Sequence, residues 1–449
     1  MKTRKTAMLL GSITLASAIV LSGCGTSSPG ATPSTGPVSQ ADIDKALDTP
    51  TTLTYWTWID GVQQSVDMFK KKHPKIDVNV VNVGSGADEY AKLRAALKAG
   101  KGFPDVAQIG YDYLGSFQQT ESLLNLAPYG GDKLKDQFTE STWNQVSNKD
   151  GVWAVPQDSG PLGTLYRDDI FKKAGLDGAP ATWDDFATAA ETIKSKTGSY
   201  ITNMPGNDMP QWVGMFWQAG VKPFEYKGGT EVGIKVNSDE AKKVIGYWQD
   251  LIKKDLVSVD PDFTDEFYQG LAKGKYASWV VPAWGPQFLQ GTVKDTSGLW
   301  RAAEPPQWTK GAHVSGNWGG SSNAVIAKTA NPIAAYELAK FVNSELESTI
   351  HLANDASLFP TTTKTLESAE FTDAKSEFFG GQQVNKLYAE IATNVDPNFD
   401  FLPFMDFANS SFNETLGTAI TNRGDLLAGL DAWQDKLVNY AKQQGFTVK

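Results

Sequence analysis

Along residues 53–109, segments with the hydrophobic pattern of a β-strand alternate with segments that have the pattern of an α-helix. This alternation restricts the possible folds more than any other feature of the chain. Runs of β-branched and aromatic residues predict strands, whereas apolar residues three or four positions apart predict helices. The resulting order is strand 53–59, helix 62–72, strand 76–83, helix 89–98 and strand 106–109. Strands that alternate with helices in this way form a parallel sheet with right-handed crossovers. The sequence therefore predicts an α/β fold.

The remainder of the chain contains both kinds of element, without an internal sequence repeat. Helices are predicted to begin after the capping residues Thr182 and Ser238 and at Asn331-Pro332. Further predicted elements are short strands at 151–156, 163–167 and 276–281 and a helix at 426–441. A chain of 449 residues is too long for one compact core, so we expect two domains.

The N-terminal residues have the layout of a secretory signal. Three basic residues precede an apolar run at 8–23, and Cys24, the only cysteine, follows that run. The Leu-Ser-Gly-Cys sequence that ends at Cys24 resembles the lipobox of bacterial lipoproteins, which implies cleavage before Cys24 and lipid attachment to it. Residues 1–23 are then a signal peptide, and 24–40, rich in Gly, Ser, Thr and Pro, are a flexible linker.

Two other interpretations of this segment stay open. It could be an ordinary signal peptide with a coincidental cysteine, or a transmembrane anchor. The apolar run of 16 residues is short for a membrane span. We therefore expect the mature protein to be lipid-anchored on the extracytoplasmic face of the cell membrane.

Charge and residue types argue against several classes of function. The formal net charge is -10, and removing the three basic residues of the signal leaves -13. An acidic chain is a poor partner for nucleic acid or for an anionic membrane surface. The three histidines lack metal-ligand spacing, and phosphate- and dinucleotide-binding motifs are absent, so we predict neither a metal nor a cofactor. With no cysteine after Cys24, the mature domain has no internal disulfide.

Four stretches, in a fixed order, resemble the family 1 extracellular solute-binding proteins of ABC importers, the family of the maltodextrin-binding protein. They are LTYWTWIDG at 53–61, PDVAQIGYDYLGSFQQTESLLNL at 104–126, GVWAVPQDSGPLGTLYRDDIFKKAGL at 151–176 and WGGSSNAVIAKTANPIAAYELAKFV at 318–342. The resemblance extends from Leu53 to about Asn343. It implies a protein that captures a sugar or oligosaccharide and delivers it to a membrane permease, and we expect it to act as a monomer.

The resemblance also implies a two-lobed clamp of the periplasmic-binding-protein type, with several hinge crossings. Lobe 1 is predicted to contain 41–157 and 315–357, and lobe 2 to contain 158–313 and 358–449. The crossings are expected near Gln157–Gly160, His313–Gly316 and Ala356–Pro360. Ligand is expected in the cleft between the lobes, which closes by a hinge motion.

Aromatic and polar side chains follow several predicted strands and crossings, where open α/β sheets bind ligands. A sugar presents apolar C–H faces, on which aromatic rings stack, and hydroxyl groups, which pair with carboxylates and amides. The candidate ligand-binding residues at these places are Trp58, Asp60, Tyr111, Asp112, Asp158, Trp284, Asn317 and Trp318, and the resemblance to the family implies Asp208, Gln211 and Trp212 in addition. Tryptophan is more often buried in a core, and we assign Trp183, Trp248 and Trp433 to packing. Asp112 could instead cap a helix.

Two alternatives to a sugar-binding protein stay open. No catalytic motif is present, and we predict no enzyme. A glycosidase, however, needs only two carboxylates about 5–10 Å apart, and the chain has 51 acidic residues, so an exported, lipid-anchored glycoside hydrolase is one alternative. The other is the same fold with a polyamine, a metal chelate or a phosphodiester as ligand. The tryptophans favour a sugar, because anions call for Arg or Lys.

Overall fold

The computed structural model describes residues 37–356 and 358–449. The predicted signal peptide, Cys24 and most of the predicted linker lie outside the described residues. The first element is a helix over Gln40–Leu47, whose N-terminus is capped by the Ser39 side chain. In the part of the chain that is described, no helix has the length and apolar character needed to cross a membrane.

Strands and helices alternate along the described chain. The strands are β1 Thr51–Trp56, β2 Ile76–Val81, β3 Val106–Gly110, β4 Ser147–Asn148, β5 Gly151–Val152, β6 Val155–Arg167, β7 Phe224–Glu225, β8 Glu231–Ile234, β9 Ser278–Pro282, β10 Trp300–Ala303, β11 Asn317–Val325 and β12 Thr447–Val448. The α-helices are α1 Gln40–Leu47, α2 Val62–Lys72, α3 Ala87–Ala99, α4 Tyr111–Gln119, α5 Glu140–Val146, α6 Asp168–Ala174, α7 Trp183–Thr197, α8 Met209–Gln218, α9 Asp239–Lys253, α10 Asp265–Lys273, α11 Gly285–Thr292, α12 Pro332–Ser344, α13 Leu346–Asp355, α14 Thr363–Leu366, α15 Ala369–Thr372, α16 Val384–Ala392, α17 Met405–Phe412, α18 Thr418–Thr421 and α19 Leu426–Gln443.

The first three strands form the parallel sheet that the sequence predicts. β1 pairs in parallel with both β2 and β3, with Leu53 opposite Val78 and Tyr55 opposite Val106. The crossovers α2 and α3 link these strands, and β11 extends the sheet as an antiparallel neighbour of β3. The α/β prediction is therefore confirmed.

β6 differs from its prediction, because one strand of 13 residues replaces the short strand expected at 163–167. Its first half pairs with β11, and its second half pairs with β9 and β10. The residues 157–160, which the family resemblance assigns to a crossing, are held in the strand by irregular pairing with β11. One strand therefore links the parallel sheet to β9 and β10.

Buried side chains form three hydrophobic clusters on this framework. One cluster packs on β1–β3 and includes Leu53 and Ile109, and the other two lie beyond β6, around Trp248 and around Trp300. The packing role predicted for Trp183, Trp248 and Trp433 is confirmed, since each is 2% exposed or less. Thr182 and Ser238 cap α7 and α9 as predicted, each accepting a backbone N–H three residues ahead.

The three segments that are predicted to be crossings lie side by side. Asp158 forms a bridge with Pro360, and the Ser159 amide donates to the Phe359 carbonyl at 3.2 Å. The Gly160 amide donates to Oδ1 of Asn317, the residue that follows the segment 313–316, at 2.8 Å. The lobe boundaries themselves stay a prediction.

Candidate ligand-binding site

Four separate parts of the chain enclose a cavity of about 130 Å³. α4 contributes Asp112, and the start of β11 contributes Asn317, Trp318 and the adjoining Gly319. α8 and the segment leading into α17 complete the wall, with Met209, Pro210, Val213, Phe401 and Met405. The structure thus brings together three of the side chains that the sequence singles out: Asp112, Asn317 and Trp318.

Two tryptophans pack against each other beside this cavity. Trp284 follows β9 and is half-buried, whereas Trp318 is only 4% exposed. Their ring centroids are 5.5 Å apart and the ring planes are inclined by 72°, which is the favoured edge-to-face geometry. Gly319 lies against Trp284, since a Cβ atom at this position would be 3.6 Å from the indole Nε1. The absence of a side chain at Gly319 leaves the tryptophan edge uncovered.

Asp158 is joined to two neighbouring elements. Its carboxylate accepts a hydrogen bond from the Ser321 hydroxyl on β11, and its carbonyl accepts one from Tyr111 Oη at 2.9 Å. Burial raises the pKa of Asp158 to about 6. Gly320 makes the Tyr111 contact possible, because a Cβ atom there would be 2.7 Å from the Tyr111 ring. Tyr111 is 4% exposed, so it positions Asp158 and offers little surface to a ligand.

A buried polar network continues from Ser321 to the loop after β1. Gln108 Nε2 donates to Ser321 Oγ at 2.9 Å, and Gln108 Oε1 accepts from the Trp58 amide at 3.2 Å. The Trp58 ring is half-buried and meets Tyr90 edge to face, whereas Asp60 is exposed. Gln108 and Ser321 were not predicted, although a glutamine in an otherwise apolar strand is a signal that could have found Gln108.

Among the described residues, Asp112 is the only charged one that lines the cavity. It lies in the first turn of α4, and the N-cap position of this helix is occupied by Gly110. The alternative prediction, that Asp112 caps the helix, is therefore wrong. Burial, and then the nearby Asp406, raise the pKa of Asp112 to about 7. The carboxyl group is therefore held where ionisation is costly.

We expect the Asp112→Asn variant to be more stable than the wild type, by a margin that grows with pH. In the wild type, the pKa of Asp112 is higher in the folded state than in the unfolded chain. The free energy of unfolding therefore decreases as pH rises toward 7, because the buried carboxyl group must then ionise. Between about pH 5 and pH 8 the difference in melting temperature should widen by about 1–3 °C. Asp60→Asn, at an exposed carboxylate, is the matched control. If the melting temperatures of Asp112→Asn and the wild type differ by a constant amount across this range, the raised pKa of Asp112 is contradicted.

Three predicted site residues lie at the start of α8 and do not line the cavity. Asp208 caps the helix by accepting the Gln211 amide at 3.1 Å. Gln211 and Trp212 have no exposed surface, and Trp212 Nε1 donates to the Pro205 carbonyl at 2.8 Å. Their neighbours Met209, Pro210 and Val213 form the cavity wall instead. We therefore correct the prediction and assign Gln211 and Trp212 to the core, because α8 is buried on nearly all sides.

Comparisons with known proteins agree with this architecture. A family model for bacterial extracellular solute-binding proteins matches residues 55–345. The arabinooligosaccharide-binding protein of Bacillus subtilis (strain 168) is 25% identical over 380 residues, which covers 80% of this chain and 86% of that protein. The lactose-binding protein of Rhizobium radiobacter is 25% identical over 391 residues, covering 82% and 86%.

A solved structure is similar over nearly the whole described chain. The ABC transporter associated binding protein from B. animalis subsp. lactis Bl-04, in complex with β-1,6-galactobiose, is 32% identical, with a TM-score of 0.78. The match covers 89% of this chain and 99% of that chain. The fold is thus the two-lobed α/β clamp of the periplasmic binding proteins. The chain belongs to the family of bacterial extracellular solute-binding proteins, as the four sequence stretches predict.

Proposed function

We propose that this protein is the extracytoplasmic binding lipoprotein of an ABC importer, which captures a neutral oligosaccharide between two lobes and delivers it to a membrane permease. The observation that carries the proposal is the edge-to-face pair of Trp284 and Trp318 beside a cavity with one charged lining residue, Asp112. Aromatic faces bind the C–H surface of a sugar, and the absence of lysine and arginine from this lining disfavours an anion.

The relatives support the same class of ligand. Their names or titles state arabinooligosaccharide, lactose and β-1,6-galactobiose. All three are neutral glycans, so a site with stacking surface and few charges suits them. We propose a ligand of this class for this chain, with the tryptophans as the stacking surface and Asp112 as the group that pairs with hydroxyls.

The other candidate residues fit supporting positions in this scheme. The side-chain amide of Asn317 accepts a hydrogen bond from the backbone N–H of Gly160 and donates one to the Gly319 carbonyl at 2.7 Å. Asn317 therefore positions the segment beside Trp284. Trp58 and Asp60 lie on the loop after β1 and Asp158 lies on β6, and the Gln108 and Ser321 network joins this loop to β6. We assign Asp158, Trp58 and Asp60 to the edge of the site that faces β1 and β3.

We expect the protein to close on its ligand and to leave it intact. A sugar that touches both lobes makes more contacts in the closed form, so it shifts the population toward closure. Small-angle scattering should show a smaller radius of gyration at saturating sugar than without it. The same sample, analysed after a day, should contain only the starting oligosaccharide. An unchanged radius would contradict the clamp, and shorter sugars would favour a glycoside hydrolase.

Lipid attachment at Cys24 predicts a clear result on fractionation. The Cys24→Ala precursor lacks the thiol that the lipobox resemblance requires, so its export product should lose membrane association. The soluble Cys24→Ala protein should bind sugar as the wild type does, because the predicted linker separates the cysteine from the folded domain. Immunoblots of membrane and soluble fractions measure this. Identical partitioning of the two proteins would contradict lipidation.

A further inference from the structure

Phe263 has two unusual features for a large apolar residue. Its side chain is 41% exposed, which is the largest exposure of any large hydrophobic residue in the described chain. Its φ angle is +57°, in the left-handed region that bulky residues seldom adopt. Strained backbone of this kind persists where surrounding contacts hold it, and it is concentrated at binding sites. On α10, which begins two residues later, the Phe267 ring centroid lies 6.3 Å from that of Phe263.

The Phe263 ring lies against both tryptophans of the proposed site. Its centroid is 6.2 Å from that of Trp284 and 6.2 Å from that of Trp318. A third neighbour, Phe288, lies at 5.9 Å. The exposed ring therefore extends the aromatic surface of the tryptophan pair toward solvent.

A buried pair of carboxyl groups anchors the loop that carries Phe263. Asp262 is 3% exposed, and among the described residues neither of its carboxyl oxygens accepts a hydrogen bond of good geometry, although the nearby Asn207 side chain acts to lower its pKa. The Asp208 carboxyl, 8% exposed, lies within hydrogen-bonding contact of Asp262. The Asp262 amide also donates to Asn207 Oδ1 at 3.3 Å. Two adjacent buried carboxylates repel each other, so a single proton shared between them satisfies both groups.

Among the described residues around the pair, the one cation on α10 is Lys273, which lies at the far end of the helix and donates to Gln269 at 3.4 Å. α8 contains no charged residue, and neither does β9. On α10, Asp265 and Glu266 are exposed acids, and Tyr268 is a phenol whose pKa is raised by burial and then by Asp262 and Asp265. Asp260, on the same loop, is paired with Lys275 and accepts from Tyr276. Burial raises the pKa of Asp262 to about 6, and burial together with Asp262 raises that of Asp208.

We propose that Phe263 is a third ligand-contacting aromatic residue of the sugar site, and that the proton shared by Asp208 and Asp262 positions it. The inference rests on the proposed function, and it names a further residue of the same site and the two carboxyl groups that position it. Loss of the proton at rising pH leaves two negative charges in contact, which pushes the Phe263 loop away from Trp318. Sugar affinity therefore falls as pH rises through the range in which the pair deprotonates.

Two substitutions at Phe263 separate ligand contact from folding. Glycine accepts a φ of +57° freely, so Phe263→Gly should melt no lower than Phe263→Ala, which loses the same ring but keeps the strained backbone, while the sugar affinity of both falls about tenfold. Leu346→Ala, at an apolar residue of similar exposure, 39%, is the control and should bind as the wild type does. Calorimetric titration with β-1,6-galactobiose, lactose and an arabino-oligosaccharide measures the affinities. Unchanged affinity in Phe263→Gly would overturn the contact.

The Asp262 variants test the positioning role through a pH profile. The amide of Asp262→Asn can donate to Asp208 at any pH, whereas Asp262→Ala cannot donate at all. Between pH 6 and pH 9 the dissociation constant of the wild type, divided by that of Asp262→Asn, should rise at least about threefold, because only the wild type loses the shared proton. Asp112 and Asp158 titrate in both proteins, so their effects cancel in this ratio. The Ala variant should bind weakly throughout.

The outcomes also distinguish this inference from the proposed function. A flat ratio across the pH range would overturn the role of the shared proton. If the wild type binds a sugar but the Phe263 variants bind it equally well, the inference fails and the proposed function stands. If no sugar of the three binds the wild type, both fail.

Discussion

Replacing Trp284 or Trp318 with alanine is expected to weaken sugar binding by about 5- to 150-fold, because each variant loses about 1–3 kcal/mol of aromatic contact. The two indoles form one surface, with centroids 5.5 Å apart. Their effects are therefore coupled, and the double variant should not equal the sum of the single changes. Calorimetric titration of the three variants with the same oligosaccharide measures this.

The two tryptophans need different controls. Trp318 is 4% exposed and packs in the cluster around Trp248, so alanine there also leaves a cavity. Trp318→Phe keeps an aromatic ring and should recover most of the stability but only part of the affinity. Trp433→Phe, in the same cluster and without exposed surface, should lose stability alone. Wild-type affinity in both alanine variants would move the site elsewhere in the molecule.

The second large effect is expected at Gly160, where β6 passes β11. A Cβ atom at this position would lie 2.0 Å from the Trp318 carbonyl oxygen, which belongs to the backbone of the opposite strand. Gly160→Ala must therefore separate the strands or disturb the hydrogen bond from the Gly160 amide to Asn317. We expect a loss of about 2–4 kcal/mol in the free energy of unfolding, measured by urea denaturation.

Gly246 provides the matched control for Gly160. It lies inside α9, and a Cβ atom there meets nothing within 4 Å. Gly246→Ala should therefore stabilise the protein by about 0.5–1 kcal/mol, because alanine loses less conformational entropy in a helix. Equal stability of the Gly160→Ala variant and the wild type would contradict the close approach of β6 and β11.

Local patterns were sufficient to predict much of the fold. The helical period at 62–72 corresponds to α2 without error, and the caps Thr182 and Ser238 begin α7 and α9. Each of these features depends on residues within a few positions of one another. The parallel pairing of β1, β2 and β3 followed from their alternation with helices, since such crossovers allow few arrangements.

Contacts between distant parts of the chain could not be predicted in the same way. The continuity of β6 depends on its pairing with β11, more than 150 residues later. α8 is apolar on nearly all sides, so its sequence does not reveal which face meets the cavity, and Trp212 was misassigned for this reason. Phe263 has a left-handed φ angle, and a phenylalanine in a sequence gives no indication of such a conformation. The lobe boundaries and the lipid at Cys24 remain predictions.

The central claim is that this clamp binds a neutral oligosaccharide at the tryptophan pair. Calorimetric titration of the folded domain with lactose, β-1,6-galactobiose and an arabino-oligosaccharide, each beside a sugar phosphate, tests it most directly. We expect saturable binding of at least one neutral sugar at one site per chain, with no heat from the sugar phosphate. Binding of the phosphate alone, or of none of these compounds, would contradict the account.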